Sequence, residues 1–146
     1  MITFSFTVRA DQGEPNQFDL GDMTVHGDQG TVTSEGRTPD QGMMIYVAVA
    51  DLLYQIRRTL DARRGTFEFV GTDSSFRLLF RTGGGNVTVR TSKETLATVP
   101  ARELLSAALA AADVFARTWL PALDPTDAAR IDLESELRNC TEALGR

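Results

Sequence analysis

The chain opens on strict alternation. Ile2, Phe4, Phe6 and Val8 take every second position, with Thr3, Ser5, Thr7 and Arg9 between them, the period-two pattern of a half-buried antiparallel strand. Asp11-Gln12-Gly13-Glu14-Pro15-Asn16 gathers turn formers, and a second strand is expected over about residues 18–26, with a break at Gly21. Gly27-Asp28-Gln29-Gly30 predicts a hairpin turn into a short strand at residues 31–34. The period then changes. Thr38, Pro39 and Gln41 have the spacing of a capping box with proline at the first helical position, and Ile45, Val49, Leu52, Leu53, Ile56 and Leu60 recur on one helical face. Arg63 and Arg64 suit the negative end of a helix dipole and Gly65 a stop, so a helix is expected over residues 39–64, about 39 Å long.

Alternation returns after Gly65. Phe67, Phe69, Phe76, Leu78 and Phe80 fall on one side, with Glu68, Arg77, Leu79 and Arg81 on the other. Gly83-Gly84-Gly85-Asn86 signals a hairpin into Val87-Thr88-Val89-Arg90, and a short strand follows at about residues 96–99. Pro100 opens a second helix whose inward stripe is Leu104, Leu105, Ala108, Ala112, Phe115 and Trp119. Pro121 and Pro125 interrupt it; Asp124 then caps a third helix with a seam of Leu133, Leu137, Cys140 and Leu144. The order predicts an α+β fold. It has a mostly antiparallel sheet of about six strands, a long central helix and two C-terminal helices packed on one face, all in a single domain over residues 1–146.

A chain of 146 residues buries enough surface to fold without a disulfide or metal, and 42% hydrophobic with 24% charged residues is globular composition. Cys140 is the single cysteine, which leaves no disulfide framework and no cysteine-rich zinc site. The alternating start lacks the basic region of a signal peptide, and no apolar run approaches the ~18–20 residues that cross a bilayer. A cytoplasmic protein without membrane contact is expected. The net charge of −5 divides into −5 over residues 1–36, +3 over 37–99 and −3 over the remainder. Such a balance disfavours nucleic acid, which needs clustered cations. Lys93 is the only lysine among fifteen basic residues, a bias that fits a G+C-rich genome.

Candidate chemistry is sparse. The glycines at 83–85 precede a strand and no lysine, unlike a phosphate loop. His26 stands alone, on a strand face shared with Asp22 and Thr24, and no Gly-x-Ser-x-Gly elbow accompanies Ser74 or Ser75. Cys140 sits on the apolar seam of the last helix and reads as a small buried hydrophobe. Residues 11–14 lack the ligand alternation of a calcium loop. No catalytic residue, metal site or cofactor is therefore expected. The informative surface is the outward side of the sheet. Glu68, Arg77, Arg81, Thr88 and Arg90, with Leu79, face away from the phenylalanines, and Thr3, Ser5, Thr7, Arg9, Thr31 and Thr33 are expected on the same side. This is either a solvated sheet surface or a docking face with arginine anchors. Tyr46 and Tyr54 flank the stripe of the long helix, and Tyr54 with Arg58 and Asp51 forms a second candidate patch.

From the long helix through Thr66-Phe67-Glu68-Phe69, residues 75–81, the glycine hairpin and the Pro100 helix, the order and hydrophobic spacing of residues 43–120 resemble small α+β families of G+C-rich bacteria. These include immunity-type proteins encoded beside polymorphic toxins. The resemblance implies a non-enzymatic role in binding another protein. The acidic N-terminal third would steer a basic partner, so the expected function is a protein-interaction module, an acidic immunity-type inhibitor among the options. The alternative is a small-molecule binder or enzyme of unfamiliar type, with its pocket between the sheet and the long helix. A homodimer through the seam of the last helix is a further option.

Overall fold

A computed structural model describes residues 1–145. The opening alternation becomes β1 (Ile2–Val8), paired antiparallel with β2 (Leu20–Gly27) so that Phe4 faces Val25 and Phe6 faces Met23. On its other side β2 pairs with β3 (Thr31–Thr33) and with a two-residue strand, β4 (Met43–Met44). These four strands form the first sheet. The second is a meander of β5 (Arg64–Val70), β6 (Arg77–Gly83), β7 (Asn86–Arg90) and β8 (Thr95–Pro100). The α+β class and antiparallel pairing are as expected. Among the described residues the strands number eight, however, and they divide between two sheets where about six in one were anticipated. The Gln29 amide, donating to the Leu96 carbonyl at 2.9 Å, joins the first sheet's hairpin to β8.

Helix α1 (Ile45–Asp61) runs through the middle of the molecule. Ile45, Val49, Leu52, Leu53 and Ile56 are fully buried, as their spacing predicts. Both ends of the helix differ from expectation. Met43 and Met44 extend the first sheet instead of forming a first turn, and Asp40 is drawn off to Arg9, so Thr38, Pro39 and Gln41 lie in a loop. At the other end Ala62 is extended, and Arg64 and Gly65 already belong to β5; Arg58 is the basic residue of the last turn.

Helix α2 (Ala101–Trp119) follows β8 directly, and its Phe115 packs edge-on to Phe6, with ring centroids 6.1 Å apart. Trp119, expected on the buried stripe, is partly exposed, because the chain turns away there into a 3-10 turn (Leu120–Ala122). Asp124 does not cap the last helix. It accepts bonds from the amide and hydroxyl of Thr126, closing a local turn, and α3 begins later (Ala128–Gly145). The Gln17 side chain reaches over from the β1–β2 loop to accept the Ala129 amide. Arg130 returns to the carbonyls of Leu120 and Leu123, at 3.0 and 2.7 Å. The seam residues of α3 pack within the chain: Leu133 and Cys140 are fully buried, and Leu137 and Leu144 lie against the same core.

Candidate functional site

The second sheet has one dry face and one wet face. Phe69, Leu78, Phe80, Val87 and Val89 are fully buried toward α1 and α2, so the intervening residues must point away from the helices. Arg77 and Arg81 are exposed, Thr88 and Arg90 half-buried, and Glu68 exposed. All five side chains singled out from sequence therefore share the open face. The expectation that Thr3, Ser5, Thr7 and Thr33 continue this face is corrected. They belong to the first sheet, and of the N-terminal set only Thr31 reaches the neighbourhood of the arginines.

The open face is not flat. Strand β3, the loop of residues 34–42 and the β7–β8 turn stand around it, leaving a groove of about 520 Å³. Glu68, Arg77, Leu79 and Arg90 line it from the sheet, and Arg37 and Lys93 from the surrounding loops. Arg81 and Thr88 stand on the same face outside the groove. The charges are graded by how firmly they are held. Arg77 meets Glu68 at 3.6 Å in the open, a loose pairing. Arg37 and Arg90 each donate Nε to a main-chain carbonyl, of Thr33 at 3.0 Å and Thr91 at 3.1 Å. These bonds fix the guanidinium planes and leave the Nη groups directed elsewhere. Hydroxyls of Thr31, Thr38, Ser75, Thr91 and Ser92 complete a polar lining.

What holds the 34–42 wall in place is a network that sequence reading missed. Arg9, at the end of β1, makes a two-pronged contact with Asp22 (2.9 and 3.0 Å) and another with Asp40 (2.8 Å for both). Asp22 is buried and also accepts the Ser34 hydroxyl at 2.8 Å. Ser34 in turn accepts the Met23 amide. Gly42 lets the chain pass close to the clamp: a Cβ there would sit 2.5 Å from the Arg9 guanidinium carbon. The Arg9 charge and its hydrogen bonds hold both carboxyls below the ordinary carboxylate range, against the desolvation that opposes this at Asp22. From the other side, Ser74 donates to the Gln41 carbonyl at 2.8 Å. His26, expected on one strand face with Asp22, is exposed and bonded to Thr31, whereas Asp22 on the same face is buried.

The space between sheet and long helix, the alternative location for a pocket, is filled by Leu52, Leu53, Ile56, Phe69, Leu78 and Phe80, all fully buried. A smaller recess of about 280 Å³ lies between α1 and α3, edged by Asp51, Asp132 and Glu136. Burial raises the Asp51 carboxyl, and Glu136 is paired with Arg57 at 3.0 Å. Among the described residues, no group of three or more His, Cys, Asp or Glu side chains is placed to hold a metal. Burial pushes the Cys140 thiol up to about 12, far from a nucleophile's range. Tyr46 is a core residue, tilted against Phe115 at 5.4 Å, so only Tyr54 remains of the tyrosine patch, where Arg57 and Arg58 lie over its ring. Arg58 also stacks on Phe67 at 4.7 Å, which occupies it within the fold. No helix among the described residues is long and apolar enough to cross a membrane.

No protein-family model, curated protein or solved structure matches the chain.

Proposed function

We propose that the protein is a non-enzymatic protein-interaction module that docks its partner on the open face of the second sheet. The observation that carries this reading is the wet side of β5–β8, where Glu68, Arg77 and Arg90 line a walled groove on a sheet whose other side is close-packed. Arginine on a rigid, partly enclosed surface is the residue type that interfaces favour as an anchor. The sheet and the Arg9 clamp hold these groups in position before binding, which lowers the ordering cost of association. The acidic N-terminal third contributes slightly less to steering than its side-chain charge count suggests, because Asp28 is paired with the N-terminal ammonium.

Affinity capture from cells of the source organism, run in parallel with the wild-type protein and with R77E/R90E, tests the reading. The expected result is a stoichiometric partner retained by the wild type and lost with the double charge reversal. Capture that is indifferent to both substitutions removes the face from consideration.

A further inference from the structure

Resting on that docking reading, we infer that the groove takes an extended, acidic segment of the partner, with carboxylates at alternate positions. The sign of the charge comes first. Arg37, Arg77, Arg90 and Lys93 line the groove against Glu68 and Glu94 alone, a cationic strip on a protein whose net charge is −5. Glu68 meets Arg77 only loosely, at 3.6 Å, and four cations against two carboxylates leave an excess of two positive charges. The strip sits on residues 37–99, the segment of the chain with positive balance, and the Thr38 and Ser92 hydroxyls add donors suited to carboxylate oxygens.

Spacing supplies the second argument. Leu79 lies directly opposite Arg90 across β6 and β7, and Arg77 is two residues before Leu79 on the same face. Arg77 and Arg90 are therefore diagonal neighbours, with Cβ atoms roughly 7 Å apart. In an extended peptide, side chains two residues apart point the same way and are separated by about 6.6–6.8 Å. A Glu-x-Glu or Asp-x-Asp segment thus matches the spacing of the two arginine positions, with Leu79 as their common neighbour beneath the peptide. Arg37 and Lys93, on the loops around the groove, meet flanking carboxylates. A basic partner is disfavoured here by the same charges.

The test uses the full chain and a fluorescein-labelled peptide, Ser-Glu-Ser-Glu-Ser-Glu-Ser, in a polarisation titration at low salt. A Ser-Lys counterpart and inorganic phosphate at matched ionic strength are the competitors. The Glu peptide is expected to bind at least about tenfold more tightly than the Lys peptide, with affinity falling as salt rises. R77A and R90A each weaken it about threefold. R81A, on the same face but outside the groove, leaves it unchanged, and circular dichroism confirms that each variant is folded. Equal binding of the Lys peptide, equal loss on R81A, or no binding of the Glu peptide overturns the inference. Displacement by phosphate as effective as by unlabelled peptide also overturns it, and makes the groove a small-anion site. If the inference fails while partner capture still depends on Arg77 and Arg90, the docking reading stands; if that dependence is absent, both fall.

Discussion

Replacing Arg9 by methionine removes the clamp while keeping an apolar stem in its place. Two bonds to the buried Asp22 carboxylate vanish, leaving it the Ser34 hydroxyl alone. Severing one partner of a fully buried ion pair costs about 3–5 kcal/mol. The Arg9 side chain is 29% exposed, so water recovers part of that, and a loss of about 2–3 kcal/mol is expected at neutral pH. Asp40 lies in water and adds nothing to this figure. For a domain of this size the loss lowers the thermal midpoint by about 8 °C. The pH dependence is the sharper signature. The Asp22 carboxyl is held below its ordinary value in the folded state, so its contribution is complete above the unfolded value of about 3.9 and disappears as pH falls through the lower folded one. In Arg9→Met the carboxylate faces desolvation without its cation, and acid relieves the variant instead of weakening it. Urea unfolding followed by circular dichroism at pH 7 and pH 3 should show a deficit that narrows in acid. A deficit below about 0.5 kcal/mol at pH 7, within the range of ordinary surface changes, would refute the reasoning; so would one that does not depend on pH.

The remaining predictions concern the frame around the groove. Gly84 and Gly85 both have positive φ, +60° and +82°, in the two-residue turn between β6 and β7, so Gly85→Val should destabilise by about 1–2 kcal/mol in denaturant titration while Gly83→Ala changes little. Leu53→Ala empties a fully buried position on α1 and should cost about 2–5 kcal/mol by the same assay. The Cys140 thiol, buried against the Leu53 carbonyl and pushed up to about 12, should resist a thiol reagent at pH 8 in the native protein and react at once in denaturant. Gly42→Ala puts a methyl against the Arg9 guanidinium, and should speed amide exchange over residues 35–42 without unfolding the second sheet.

Local period carried most of the secondary structure into view. The alternations at Ile2, Phe4 and Phe6 and at Phe76, Leu78 and Phe80, the glycine hairpin, and the stripe from Ile45 to Ile56 all lie where the pattern puts them, because burial on one face imposes the spacing directly. The five outward residues were legible for the same reason: once the phenylalanines are inward, Arg77 and Arg90 have one direction left. What pattern does not encode is which strands share a sheet, since that depends on pairings distant in sequence such as Gly21 with Met43. The capping signature at Thr38 was locally sound, and lost to a partner far along the chain, Arg9. Asp22 misled for a related reason: alternation gives its side but not what covers that side. Arg37 and Lys93 join the groove from irregular segments, where no period exists to read. Knowledge of the β1–β2 register, with Thr7 opposite Asp22, would have set Arg9 within reach of that carboxylate.

The most direct test is amide hydrogen exchange on the complex with whatever partner the wild-type protein captures. Slowed exchange over residues 37–41, 77–79 and 90–94, with α3 and the Tyr54 surface unchanged, is the result predicted for docking in the groove of the open sheet face. Protection confined to α3, or to the exposed side of α1, with the groove amides exchanging as in the free protein, would contradict it.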